Sequence, residues 1–192
     1  MPILVRDLVF GYGDAPLLNG VSLTVEDGEC VMVTGGSGTG KTTLLRLIAG
    51  LLAPAGGSVE RPDRLAAVFQ EDRLFRGVSA LKNAALVGSA ENAEALFREA
   101  GMTEYASLPA EKLSGGTRRR VAILRALNSP ADALLLDEPF TGLDDANRRK
   151  MAAMIRRVYA GKPILLISHD PSDGLLLGAR TVVLSSEGKI SG

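Results

Sequence analysis

The stretch GGSGTGKTT, residues 35–43, decides how the rest of the chain is read. Gly35, Gly40, Lys41 and Thr42 fit a glycine, four residues, then Gly-Lys-Ser/Thr. The apolar run CVMVT precedes the stretch and the helical run LLRLIAGLL follows it, which is the strand–loop–helix setting the pattern requires. The glycines let backbone N–H groups converge on phosphate oxygens, and the helix start adds partial positive charge. In such a cradle Lys41 reaches the β- and γ-phosphates and the Thr42 hydroxyl faces Mg²⁺. The expected phosphate-binding residues are therefore Gly35, Gly36, Ser37, Gly38, Thr39, Gly40, Lys41, Thr42 and Thr43.

Outward from this loop, short aliphatic runs alternate with helical patterns, which predicts an α/β core with a largely parallel sheet. The expected strands are ILVRDLVF (3–10), SLTVE (22–26), CVMVTG (30–35), LAAVFQ (65–70), ALLLD (133–137), PILLIS (163–168) and TVVLS (181–185). CVMV, ALLL and ILLI are apolar throughout, as central strands covered on both faces are. Met151, Met154, Ile155, Val158 and Tyr159 form one helical stripe, and Ala93, Leu96, Phe97 and Ala100 another; both read as core seams. Between Gln70 and Ser129 the pattern turns helical, which predicts a helical subdomain at about 71–129 inserted in one domain that spans residues 1–192. PAGGS (54–58) reads as a turn.

Lys plus Arg balance Asp plus Glu at 22 each, so no global basic field points to nucleic acid, and none is expected as a partner. The N-terminal stretch carries charges too early for a signal peptide, and no run reaches the roughly 18 apolar residues of a membrane span. The single cysteine, Cys30, sits in an apolar strand and reads as a small core hydrophobe.

ALLLDEP ends a strand in two carboxylates, Asp137 and Glu138. Adjacent strand side chains diverge, so Asp137 can serve the metal while Glu138 polarises a water. At Leu113–Leu127, LSGGTRRRVAILRAL places Ser114, Gly115 and Gly116 before a helix, a second candidate anion site. The Arg118-Arg119-Arg120 run opposes the helix dipole unless something anionic sits nearby; a solvated face with one structural arginine is an equal alternative. His169, the only histidine, lies in LISHDP. Ser168, His169 and Asp170 are consecutive and cannot form a nucleophile triad among themselves.

LSGG followed by a basic helix, with LLLDEP about twenty residues on, resembles the signature region of the ABC-type ATPases, the nucleotide-binding subunits of ATP-binding-cassette systems. The resemblance extends over nearly the whole chain. It implies a P-loop NTPase core with a mainly parallel sheet, an N-terminal antiparallel β portion and the inserted helices. It also implies roles: Tyr12 in FGYG stacks on adenine, and Gln70 in VFQED senses Mg²⁺ and the attacking water. Asp144 in FTGLD lies in the loop that crosses a dimer interface, and His169 hydrogen-bonds the γ-phosphate. Lys41, Gln70, Glu138 and His169 are the implied catalytic set, with Thr42, Gln70 and Asp137 at the metal.

The resemblance further implies a Mg-dependent ATPase that works as a head-to-tail dimer. ATP lies between the phosphate loop of one subunit and Ser114, Gly115 and Gly116 of the other. FQEDRLF followed by GVSALKNAAL is similar to importer subunits for small anions such as nitrate, sulfonates or taurine. The implied partners are a membrane-spanning permease, met through Glu71–Gly77, and a substrate-binding protein, with the chain peripheral on the cytoplasmic face of the membrane. The competing expectation is a soluble ABC-type ATPase of DNA repair, translation or cofactor assembly; a P-loop kinase or GTPase would have no use for LSGG or the histidine. Thr117 stands where the family usually has Gln or Glu, and Arg119 and Leu124 also depart from the commonest residues.

Overall fold

The computed structural model describes residues 1–13 and 15–191. In chain order the elements are β1 (Ile3–Phe10), β2 (Leu18–Val25), β3 (Cys30–Thr34), α1 (Lys41–Ile48), β4 (Gly56–Glu60), β5 (Leu65–Val68), α2 (Ala80–Ala85), α3 (Ala90–Ala100), α4 (Gly115–Leu127), β6 (Ala133–Asp137), α5 (Asp145–Val158), β7 (Ile164–Ile167), α6 (Pro171–Leu177), β8 (Arg180–Leu184) and β9 (Ile190–Ser191). The larger sheet runs β5-β6-β7-β3-β8-β9 and is parallel except for β9. A smaller antiparallel sheet runs β2-β1-β4.

The three wholly apolar runs, in β6, β7 and β3, are neighbours at the centre of the larger sheet. Because strand side chains alternate in direction, each of these strands feeds two cores. Cys30, Met32, Leu134, Leu136, Ile164 and Leu166 join the core shared with α2, α3, α4 and α5. Val31, Val33, Ala133, Leu135, Leu165 and Ile167 join the core shared with α1 and the antiparallel sheet. Fully burying a Leu or Ile side chain stabilises by about 1.5–3 kcal/mol, so these strands anchor both cores. Both helical stripes face the first core, and the Tyr159 hydroxyl donates to the Ala126 carbonyl at 2.9 Å. Burial pushes the Cys30 thiol up to about 12, which keeps it an inert core group.

One expectation needs correction, and one question left open is answered. PAGGS is a turn only at its start: from Gly56 the chain forms β4, which pairs with β1. GGSVE has no apolar alternation to announce a strand, since its pairing comes from ladder bonds at a sheet edge. Gly57, at φ 79°, lies so close to β1 that a Cβ there would sit 2.4 Å from the carbonyl oxygens of Arg6 and Asp7. The arginine run joins the two readings left open for it, since Arg119 is the one structural arginine, Arg118 and Arg120 stay partly exposed, and an anion does sit nearby. Arg119 is buried, Arg118 donates to the Leu113 carbonyl, and Arg120 donates to Asn147 on α5. Asp72 supplies the neighbouring anion, 3.3 Å from Arg119 Nε and 3.6 Å from Arg118 Nε.

Candidate functional site

Parallel register brings the site together. Asp137 pairs with Ile167 and Val68 with Leu136, so the segments after β5, β6 and β7 emerge side by side at the carboxyl ends of the strands, where open α/β sheets bind ligands. The loop after β3 opens at the same end, and α1 crosses β7 to reach β6. A cleft of about 310 Å³ results. Ser37, Gly38, Gly40, Lys41, Thr42, Thr43, Gln70, Asp137 and Glu138 line it, so candidates from three separate stretches of sequence meet there.

The loop is shaped for an anion. Gly40, at φ 97°, precedes α1 and has no side chain to cap it, so the first N–H groups of the helix stay available. Gly35 closes on β8, where a Cβ would come within 2.3 Å of the Leu184 carbonyl oxygen. Lys41 Nζ donates to the carbonyls of Gly35 at 2.9 Å and Gly36 at 2.7 Å, folding the ammonium back over the loop. The Thr39 hydroxyl donates to the Gly36 carbonyl at 3.0 Å and braces the turn.

Asp137 is 1% exposed and accepts a bond from the Thr42 hydroxyl at 2.9 Å. Burial raises its pKa, the Thr42 bond opposes that rise, and the Glu138 charge adds to it. A buried carboxylate beside a hydroxyl is a donor set suited to a divalent cation, which would remove the cost of the buried charge. Among the described residues no cluster of three His, Cys, Asp or Glu forms a metal cage. Magnesium does not need one, since it is commonly held by one or two protein groups together with phosphates and waters.

Glu138 adopts φ 50°, a left-handed conformation that costs a non-glycine residue on the order of 1 kcal/mol or more. Its Oε1 lies 2.9 Å from Nδ1 of His169, whose side chain is 76% exposed. Hydrogen bonding to Glu138, and then its charge, raise the pKa of the imidazole. Behind His169 stands a network that sequence reasoning missed. The Ser168 hydroxyl donates to buried Asp173 at 2.7 Å, and Arg148 on α5 bonds Asp170, Ser172 and Asp173. The Ser172 hydroxyl and amide and the Arg148 guanidinium hold Asp170 down at about 2. The alternation Ser168, Asp170, Ser172, Asp173 was the available signal, but it lacked the distant arginine.

Tyr12 stands at the cleft mouth, 68% exposed, with its hydroxyl 3.3 Å from Thr43 Oγ1 and its ring edge-on to Phe10. Ser114, Gly115, Gly116 and Asp144 do not line the cleft. Ser114 caps α4, accepting from the Thr117 amide at 3.2 Å while the two hydroxyls lie 2.9 Å apart. Asp144 caps α5 through the Asn147 amide at 2.8 Å, and its pKa is lowered first by that bond and then by the Asn147 side chain.

A family model described as ABC transporter matches residues 18–141, which takes in the phosphate loop, Ser114–Gly116 and both carboxylates. The chain belongs to the ABC transporter family. It is an ATP-binding, ATP-hydrolysing cassette of that family. The aliphatic sulfonates import ATP-binding protein SsuB of Granulibacter bethesdensis is 39% identical over 90% of this chain and 75% of its own length. An SsuB protein of Pseudomonas fluorescens is 41% identical over 94% of this chain and 72% of its own. Among solved structures, the dimeric MJ0796, a bacterial ABC transporter cassette, has a TM-score of 0.88 and 26% identity, covering 99% of this chain and 97% of that one. The same cassette in a post-hydrolysis dimeric state with ADP and Pi gives 0.87 at 25% identity, covering 99% of this chain and 97% of that one. The ABC-cassette fold expected from the sequence is therefore the fold present, and the soluble, non-transport alternative is not favoured.

Proposed function

We propose that the chain drives an importer of small organic anions, sulfonates being the chemistry its relatives are named for, through a separate membrane-spanning subunit at the cytoplasmic face. A substrate-binding protein delivers the cargo. The permease meets Glu71–Gly77, where Phe75 stands exposed. No helix of the described residues is long and apolar enough to cross a membrane.

Two copies close on two ATP molecules, and the observation that carries this reading is the separation of the two helix starts. The start of α1 lines the cleft; Ser114, Gly115 and Gly116 do not. A second copy brings them to the γ-phosphate, with Asp144 at the seam. Tyr12 offers a free ring face to adenine, and residues 35–43 hold the phosphates, with Lys41 exchanging its two carbonyls for phosphate oxygens. Thr42, Asp137 and Gln70 would hold Mg²⁺, which would supply positive charge to offset that of the phosphates. Glu138 accepts the proton of the attacking water, Gln70 orients that water, and His169, bonded to Glu138 through Nδ1, turns Nε2 to the γ-phosphate. Closure follows from these γ-phosphate contacts and opening from their loss on hydrolysis.

The test is Glu138→Gln. Loss of a general base lowers kcat about 10³-fold while ATP binding persists, so the variant accumulates as an ATP-bound dimer in sizing and light scattering. Wild-type-like turnover would remove Glu138 from the base role, and a variant that stays monomeric in Mg-ATP, with or without a permease, would remove the two-chain site.

A further inference from the structure

Arg119, near the start of α4, is 6% exposed. Its Nη1 donates to the Phe69 carbonyl at 2.6 Å and its Nη2 to the Gln70 carbonyl. These carbonyls belong to the peptide planes on either side of the Gln70 Cα. Peptide units are planar, so holding both planes restricts φ and ψ at Gln70 and with them the direction of its Cα–Cβ bond, from which the side chain starts. The fixed guanidinium fork is the group that can hold two carbonyls at once; an ammonium or a single amide cannot reproduce it.

The rest of the loop is held from the same helix. Arg125 donates to the carbonyls of Asp72 at 3.1 Å and Arg73 at 2.8 Å, and Arg73 itself adopts the left-handed φ of 47°. Asp72 Oδ1, a buried oxygen without an aligned hydrogen bond, lies 3.3 Å from Arg119 Nε and balances its charge. Residues 69–73 lie beyond the last ladder pair of β5, so α4 supplies the donors their backbone would otherwise take from a strand or from water. Arg119 also lies one helical turn after Gly116, at the end of α4 that presents Ser114–Gly116.

We propose that Arg119 is a positioning residue that makes the placement of Gln70 depend on the start of α4, so that capture of the partner's ATP by Ser114–Gly116 is felt at the chain's own attacking water. The proposal rests on the roles given above to Gln70 and to Ser114–Gly116, and adds the physical link between them. Movement of α4 carries the two peptide planes with it, because three side-chain nitrogens of Arg119 grip the loop at Phe69, Gln70 and Asp72. The two ATP sites of a dimer are thereby coupled through one side chain in each copy.

The experiment compares Arg119→Gln, Gln70→Ala and the double variant in the full chain, by steady-state ATPase kinetics and backbone hydrogen exchange. Arg119→Gln lowers kcat about tenfold with KM within about twofold, and amides 70–73 exchange about tenfold faster while those of β6 keep their protection. The double variant is no slower than Gln70→Ala, because both changes remove the same function. Unchanged kcat in Arg119→Gln, or losses that multiply in the double variant, overturns the coupling alone. Undiminished kcat in Gln70→Ala overturns the role of Gln70 itself, and the coupling with it. Should Arg119→Gln fold poorly because Asp72 is left uncompensated, Arg119→Gln with Asp72→Asn removes both charges together. The same kcat loss is expected there, and wild-type kcat in that pair overturns the proposal.

Discussion

The two helix starts proposed to meet phosphate are built in opposite ways. The start of α1 is open: Gly40 leaves the first N–H groups free, Lys41 lies folded over the loop, and the cleft around them is lined from separate stretches of one chain. The start of α4 is closed on itself, since Ser114 accepts from the Thr117 amide and its hydroxyl pairs with that of Thr117. In the proposed mechanism the first offers its glycine loop and Lys41 to an anion within one polypeptide. The second caps its own Thr117 amide, which suits the proposed role of a surface that meets ATP only when a second copy presents it.

That contrast predicts unequal responses to mutation. Lys41→Ala removes a charge-assisted contact worth about 3 kcal/mol and weakens ATP binding by an unpaired chain about a hundredfold, as equilibrium dialysis would read. Ser114→Ala leaves that affinity within about twofold but removes the cap, lowering stability by about 1 kcal/mol in urea unfolding and reducing ATP hydrolysis by the dimer. Equal loss of monomer binding in both variants would erase the distinction between the two starts. Thr117→Val has the smallest structural effect in this set. It costs about 0.5 kcal/mol of stability and strengthens or leaves unchanged the ATP-driven pairing of Glu138→Gln chains, because the Ser114 hydroxyl loses a competing partner. Weakened pairing would mean that the Thr117 hydroxyl itself serves the interface.

The open site can also be followed by pH. His169 is the only histidine, so its imidazole resonances titrate without overlap. Its pKa is raised above the ordinary 6.5 by Glu138, so the charged pair is fully formed below 6.5 and is lost as pH rises through the elevated value. In Glu138→Gln the midpoint should move back toward 6.5. A midpoint already at or below 6.5 in the unmodified chain would show that the contact with Glu138 does not persist in solution. Because the imidazole is largely exposed, this titration should leave overall stability almost unchanged.

Most of the α/β framework was legible because its signals are local. The runs in β3, β6 and β7 are apolar at every position, which only a doubly covered strand tolerates, and the stripes on α3 and α5 repeat at helical spacing. β4 and β9 were not legible, since an edge strand of glycine and polar residues is defined by its neighbour's ladder. The arginine run was legible as an electrostatic puzzle but not as a solution: its anion, Asp72, and its acceptors on Phe69 and Gln70 lie some fifty residues away in sequence.

By itself the sequence determined the residue chemistry and the family: the glycine spacing before Lys41 and Thr42, the paired Asp137 and Glu138, the Ser114–Gly116 helix start and the lone His169. Short-range backbone sterics and the side-chain inventory dictate these, and they survive without knowledge of the fold. Only the tertiary structure decided which groups share a site. Parallel register set Glu138 against His169, the path of α1 set Thr42 on Asp137, and packing of α4 closed Arg119 on Gln70. Each is a contact between distant residues, fixed by how sheets and helices bury their apolar faces.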